Sequence, residues 1–380
     1  MTVVALGEMV DFVGGGTPSK DESLFWGGDI PWVSVKDLKS KVINETIDTI
    51  TPQGVEGSST RVIEKGALII ATRMAVGKAV ILGVDAAINQ DLKAVRIKGE
   101  LDRDYLFYFL KQAAPYFERV STGATVKGIK LEHLRNLEIP LPPLEEQKRI
   151  AGILDEADRV RKKTQALIDK YDELAQSLFL DMFGDPVTNP KGWEVKPLEM
   201  LAKVVRGSSP RPAGDPRYFN GSVPRLMVSD LTRDGMFVRA MTDSLTVEGA
   251  AKSRPMKKGQ LVMAVSGNPG LPAILAEDCC IHDGFAGFRD LSSDFDPRFL
   301  YFHFRLVQKA TASQADGAIF QNITTNTIRN LSIPVVPMQL QQKFINEVGL
   351  INDQKELVQS GFELQLFNAL LQKAFKGELT

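Results

Sequence analysis

The side chains best placed to do chemistry in this 380-residue sequence sit in two glycine-punctuated loops. GGGTPSK at 14–20 offers Thr17, Ser19 and Lys20, and RGSSPRP at 206–212 offers Ser208, Ser209 and Arg211. Backbone amides and small hydroxyls suit phosphate oxygens, and a neighbouring cation adds a salt-dependent attraction. Base edges call for longer side chains, Arg for guanine and Asn or Gln for adenine. Arg73, Lys78, Gln90 and Lys127 are the candidates in the first part of the chain. Arg225, Arg233, Asn268, Gln321 and Asn322 are those in the second. All sit in or beside loops between hydrophobic runs, and each taken singly also reads as a solvated surface residue.

Bond-making chemistry finds little footing. Gly77-Lys78-Ala79 resembles the end of a phosphate loop, but Thr72 stands where a glycine is required and Ala79 where Ser or Thr is required. No Asn-Pro-Pro-Tyr type motif, no glycine-rich cofactor loop after a strand and no nuclease carboxylate cluster is found. His133, His282 and His303 have neither metal nor triad spacing. The reading is therefore of a non-catalytic chain without metal or cofactor of its own. Cys279 and Cys280 are adjacent, cannot form an ordinary bridge to each other and fit a reducing cytosol.

A net charge of −1 gives no sign of nucleic acid. Residues 191–338 carry 18 basic and 14 acidic side chains, and residues 1–144 carry 17 and 18. Positive charge must therefore be gathered on a face if DNA is the partner. The N-terminus lacks a basic region followed by a long apolar run, and no stretch reaches membrane-span length, so a cytoplasmic protein with no membrane contact is expected.

These loops recur because the chain is written twice, with an offset near 193 residues. Trp26-Gly27-Gly28-Asp29-Ile30-Pro31 returns as Phe219-Asn220-Gly221-Ser222-Val223-Pro224, and Asp37-Leu38 returns as Asp230-Leu231. Lys65-Gly66 before an apolar run matches Lys258-Gly259, and Asn136-Leu137 matches Asn330-Leu331. Each copy opens with short β-branched runs broken by Gly, Pro and Asp, which read as strands. An aromatic helix follows (105–118, 299–310), then a strand stopped by proline. The cluster Tyr105–Phe109 reads as core, and His282, aligned with Asn89, as a satisfied structural histidine.

A long helix comes after each proline stop. From Glu145 to about Phe183, Ile150, Ala157, Thr164, Tyr171 and Leu178 fall seven apart. Ile153, Val160, Leu167 and Leu174 interleave three residues later, giving an a/d seam. At ~1.5 Å per residue this helix is roughly 55–60 Å long. The second, from Gln339 to about Leu379, places Phe344, Val348, Ile351, Val358 and Phe362 on its seam, with Lys355 interrupting it. A lone exposed helix of this kind needs a partner, and the other copy can supply one. The expected fold is α+β, with two globular α/β domains (1–144 and 191–338) joined by two long antiparallel coiled-coil helices (145–184 and 339–380) in pseudo-two-fold symmetry.

In this order, and repeated, the motifs resemble those of specificity subunits of type I restriction–modification systems. The residues that carry the likeness are Gly14–Ser19, Trp26–Trp32, Asp37-Leu38, the junction Ile139–Gln147, and the helix ends Asp181–Asp185 and Ala374–Leu379. The resemblance covers nearly the whole chain. It implies a target-recognition domain in each repeat, the two helices as spacer, and an asymmetric, split double-stranded DNA site. It further implies two modification subunits, and often two restriction subunits, as partners, with S-adenosylmethionine and ATP used only by them for adenine methylation and restriction. The second copy departs from the pattern, with PRLMVSD in place of the IPW segment and PMQLQQK in place of PLPPLEEQ. A DNA-targeting subunit of another modification or phage-defence enzyme, and a coiled-coil adaptor that does not bind DNA, are the alternatives.

Overall fold

Duplication of sequence becomes duplication of topology. The computed structural model describes residues 2–123, 126–312, 323–361 and 363–379. It divides into one unit of Met1–Gln165 with Gly361–Thr380 and another of Ala166–Ser360, so each unit takes in part of both helical regions.

In the first unit a five-stranded sheet runs in the order Val10–Gly14, Leu92–Ile97, Leu68–Ala71, Ala79–Leu82, Val42–Ile43. All its pairs are antiparallel except the last. A four-stranded sheet has the order Asp48–Ile50, Trp26–Val33, Ala86–Ile88, Val62–Ile63. A third pairing joins Thr2–Ala5 to Glu138–Leu141.

The second unit repeats this arrangement strand for strand. Its five-stranded sheet runs Lys203–Arg206, Phe285–Arg289, Leu261–Ala264, Pro272–Leu275, Phe237–Val238. Its four-stranded sheet runs Asp243–Leu245, Phe219–Leu226, Cys279–Ile281, Arg254–Met256. Even the register shift recurs, between Trp26 and Ile30 and between Phe219 and Val223. The glycine inside each shifted segment is required by close approach. A Cβ on Gly28 would lie 2.6 Å from the Ile50 carbonyl oxygen, and one on Gly221 would lie 2.4 Å from that of Leu245.

The aromatic helices, Arg103–Gln112 and Pro297–Ala312, lie on the cores. Tyr105 to Leu110 are all buried. The Asp102 carboxylate caps the first helix by accepting from the Tyr105 N–H at 2.8 Å. In the second unit Phe179, Phe183, Phe299 and Phe344 form a ring cluster with centroids 5.0–5.5 Å apart. Full burial of such rings contributes roughly 2–3 kcal/mol each. Cys279 and Cys280 are free thiols buried in a strand, and burial pushes that of Cys279 up to about 12.

The central helix spans Leu144–Phe183 without a break, with Glu145 and Glu146 in its first turn, where they complement the helix dipole. It ends at Gly184, which adopts a φ of +82° that favours glycine. Within the first unit it pairs antiparallel with Glu363–Lys376: Arg149 donates to the Leu379 carbonyl at 2.6 Å, and Arg161 lies over the Phe367 ring. Within the second it pairs antiparallel with Met338–Ser360, through Phe183 against Phe344 and a 2.6 Å ion pair of Lys355 with Asp172. Lys355, expected to interrupt the seam, bridges it instead.

Two expectations about the helices need correction. The row Ile150, Ala157, Thr164, Tyr171, Leu178 does turn inward, but the second inward row is Leu154, Arg161, Ile168 and Ala175. Ile153 and Val160 are half-buried, while Leu167 and Leu174 are 42% and 51% exposed. The inward residues still alternate four and three apart, so the heptad period holds and only the second row lies one residue further along the helix, where distant aromatic side chains meet it. The second helical region is not continuous either. It stops at Ser360, bends at Gly361 and resumes at Glu363. Phe344 and Val348 are buried, Ile351 and Val358 half-buried, and Phe362 lies outside the described residues.

At the start of each long helix a glutamine with no exposed surface ties helix to globular core. The side-chain oxygen of Gln147 accepts from the Asp102 N–H at 2.8 Å, and its amide donates to the carbonyls of Glu100 and Pro142 at 3.1 and 2.8 Å. Gln341 does the same with Asp296, Asp294 and Val336 at 2.9, 2.8 and 2.8 Å.

The copies differ where His303 replaces Phe109. His303 is 1% exposed, its Nδ1 has no partner among the described residues, and burial lowers its pKa to about 4. The fold therefore holds a neutral imidazole, whereas the unfolded chain takes up a proton near pH 6.5. Stability should be lost as pH falls from 6.5 through 4, by roughly 3 kcal/mol from this group. Urea unfolding of wild type and His303→Phe at pH 6.5 and 4.0 measures that share, and the variant's difference between the two pH values should be smaller by that amount. An equal pH dependence in both would assign the loss elsewhere.

Candidate nucleic-acid interface

Three loops converge at one end of the two sheets in each unit. In the first unit Gly16 donates its N–H to Ile88 at 2.9 Å, and the Trp32 indole donates to the Gly16 carbonyl at 3.1 Å. The hydroxyl of Thr17 then bonds the side-chain oxygen of Gln90. Thr72 donates to the Asp91 carbonyl through both its N–H and its hydroxyl, at 2.8 and 3.0 Å. Arg73 stands 3.7 Å from the largely buried Asp91 carboxylate. A fourth segment closes on this set: Met74 N–H donates to Lys127 and Ile129 N–H to Thr72. Thr17, Arg73, Gln90 and Lys127, far apart in sequence, are thus brought together. Lys20 and Lys127 are exposed and have no ion-pair partner among the described residues.

The second unit repeats the latch with a charge in it. Ser209 occupies the place of Thr17 and Asp283 that of Gln90, and the Ser209 hydroxyl donates to Asp283 at 2.6 Å. Arg211 reaches the same carboxylate at 3.2 Å, and Arg206 donates to the Asp283 carbonyl at 2.8 Å. The bond from Ser209, followed by the nearby His282 and Arg211, holds the Asp283 carboxyl below its ordinary range. Asn89 and His282 correspond in function as well as alignment, accepting from the N–H two residues on at 3.1 and 2.8 Å. Burial, then the charge of Arg225, keeps His282 below its ordinary pKa. It is only half satisfied, since its buried Nε2 has no partner among the described residues.

The glycines of the first loop are there for packing. A Cβ on Gly15 would sit 2.1 Å from the Ile88 carbonyl oxygen, and one on Gly207 would sit 1.9 Å from that of His282. The amides of Gly16, Gly207 and Ser208 donate to Ile88, Phe285 and Ile281, so they are not free to cradle a phosphate as expected. The hydroxyls of Thr17, Ser208 and Ser209 are likewise engaged, with Gln90, the Lys252 carbonyl at 3.0 Å and Asp283, which leaves Ser19 and the exposed cations for that role. Ser19 and Lys20 are exposed, and the Ser19 carbonyl accepts from the Trp26 indole at 2.9 Å.

Other candidates are tied down or lie elsewhere. Arg225 is not a free reader: it is 9% exposed, paired with Asp243, stacked over Phe219 and bonded to Ser209 at 2.9 Å. Its place on a strand that faces the core explains this, and only the strand register reveals it. Arg233 is bound to Asp230, Asp234 and the Arg239 carbonyl and joins none of the converging loops. Asn268 is exposed in the loop beside Asp283 and accepts from Gln308 at 2.9 Å. Lys78 lines a separate recess against the central helix. Gln321 and Asn322 lie outside the described residues. Sequence reasoning missed Asp91, Asp283, Arg206 and Lys93, which donates to the Gln90 carbonyl at 2.7 Å. The only signal was the position of each acid at the turn that aligns between repeats.

Comparison with known proteins agrees with this geometry. A family model described as type I restriction modification DNA specificity domain matches residues 1–170 and 190–346. The MjaIX type I restriction enzyme specificity subunit of Methanocaldococcus jannaschii is 28% identical over 400 aligned positions, covering 97% of this chain and 91% of that protein. The EcoR124I/EcoR124II specificity subunit of Escherichia coli is 33% identical over 181 positions, covering 46% and 45%. The S subunit of a type I restriction–modification system from M. genitalium has a similar fold, with a TM-score of 0.54, 16% identity and coverage of 98% and 96%. A chain from a structural study of type I R-M assembly and conformational transition gives 0.59, 19%, 100% and 98%.

Replacing Arg225 by Ala would leave Asp243 unpaired and should destabilise the fold by about 3 kcal/mol. Urea denaturation checks this; an unchanged midpoint would return Arg225 to the pool of free readers.

Proposed function

This chain belongs to the type I restriction–modification DNA specificity family, and we propose that each of its units reads one half of a split, asymmetric duplex site. Its role is DNA sequence recognition within such a system, and its partners are DNA and the system's other subunits. The observation that supports the two-part reading is the recurrence of one loop latch on one strand order, with different polar groups in it. Thr17 with Gln90 presents neutral groups, whereas Ser209 with Asp283 and Arg211 presents charged ones. Equal scaffolds with unequal chemistry favour two different half-sites.

Exposed cations such as Lys20 and Lys127 then serve phosphates, and Arg73 and Gln90 serve base edges. The chain itself performs no bond chemistry and holds no cofactor; S-adenosylmethionine and ATP belong to the partners, which methylate adenine and restrict. Two modification subunits and two restriction subunits complete the assembly, and its work is cytoplasmic. The helices fix the number of unread base pairs between half-sites. Leu167 and Leu174, seven residues apart on the outward side of the central helix, are the docking stripe for a modification subunit.

Selection from randomised duplexes at physiological salt, with the modification subunit present, should yield one bipartite sequence. Gln90→Ala should relax one position of one half-site by about 1–3 kcal/mol and leave the other half untouched. Flat affinity across the pool would overturn the reading. Leu167→Glu with Leu174→Glu should leave the fold intact and weaken capture of the modification subunit by about tenfold or more. Undiminished capture by the doubly substituted chain would remove the stripe from the interface.

A further inference from the structure

The first unit contains a recess that the loop cluster does not use. It has a volume of about 310 Å³ and lies between the turn carrying Lys78, the segment carrying Lys39 and Lys41, the aromatic helix and the central helix. Six cationic side chains line it, Lys39, Lys41, Lys78, Lys111, Arg161 and Lys162, against a single lining carboxylate, Asp158. Asp158, 5% exposed, accepts from Arg161 at 2.8 Å, Lys162 at 2.9 Å and Lys111 at 3.5 Å, so one negative charge serves three positive ones. Lys41 is held by Asp104 and Asp155 just outside. Lys39 and Lys78 are exposed and have no ion-pair partner among the described residues. Val76, Ala79, Phe107 and Ala114 supply an apolar wall.

Scaffolding does not account for this charge, because the second unit has the same fold without it. The corresponding positions there are Thr232 for Lys39, Met236 for Lys41, Leu271 for Lys78 and Glu356 for Lys162; of the six, Arg305 and Lys355 keep a cation. Lys111 is pressed between the Phe367 ring, 4.3 Å away, and the recess, and its burial lowers its affinity for a proton. A second anion would offset that desolvation.

We propose that this recess binds a phosphate group, with Lys78, Lys111 and Lys162 as its principal ligands. At ~30 Å³ per water it has room for about ten waters, and so for more than one phosphoryl group. A free polyphosphate and a backbone phosphate of the bound duplex share this chemistry. The duplex source rests on the DNA-recognition reading above, and the free source does not.

The test uses the full chain and Lys78→Gln combined with Lys162→Gln, both exposed changes that leave Asp158 its pairs with Arg161 and Lys111. Inorganic pyrophosphate is titrated by calorimetry, and duplex affinity is measured against salt. If the source is free, wild type binds one pyrophosphate and the variant binds it at least about tenfold more weakly, with duplex binding unchanged. If it is the duplex, the slope of log affinity against log salt falls by about 1.8 for the two charges lost, with the selected half-sites unchanged. Absence of both pyrophosphate binding and any change in slope would overturn the proposal. So would a variant that loses only its grip on the modification subunit, since a carboxylate of that partner would then be the occupant. Failure of half-site selection with pyrophosphate binding intact would sink the recognition reading alone.

Discussion

Two glutamines with no access to water hold the architecture together. A primary amide in a core must place its oxygen and its two hydrogens on partners, because an unmet polar group there costs about 1–3 kcal/mol. Gln147 and Gln341 can satisfy that requirement only if three pieces meet at once: the loop before the aromatic helix, the proline stop after the last strand and the first turn of the long helix. The direction in which each long helix leaves its globular body is thereby set by hydrogen bonds, which are directional, rather than by apolar packing, which is not. Everything that concerns where the helices run depends on this joint.

The repeat, the α+β class and the two helical regions were legible in the sequence because glycine, proline and period are local signals. The glutamine was visible too, as the end of PLPPLEEQ, yet its role was not; the acidic residues beside it look more conspicuous and are solvent-exposed. The seam was misjudged by one residue in its second row. Ile153, Val160, Leu167 and Leu174 are as apolar as the row that is buried, and composition cannot say which of two leucine stripes meets the core. That choice is made by aromatic rings supplied from distant segments, Phe367 in one unit and Phe299 with Phe344 in the other.

At the loop cluster the legible part was residue type and the illegible part was orientation. Thr17 and Gln90 are 73 positions apart and their contact could not be read from spacing. Arg225 shows the converse: its type suggests a reader, but its strand register turns it inward onto Asp243. The glycine-rich loops carry glycine because two backbones nearly touch, a reason as physical as phosphate binding and invisible without the second backbone. Differences between the repeats are the more informative for this: the same frame tolerates a neutral latch or a charged one, a phenylalanine or a buried histidine.

The first unit takes its core from both parts of the chain, since Phe367, Leu371 and Ala374 pack with Ile150 and Leu154. The second is drawn from one unbroken stretch. During synthesis the usual order, in which the earlier-made body is finished first, is therefore inverted: residues 1–165 hold most of the first core, but the side of the central helix covered by Phe367, Leu371 and Ala374 stays bare until residue 374 has left the ribosome. Chains stalled before that point would expose this apolar surface to chaperones and proteases while carrying a finished second body.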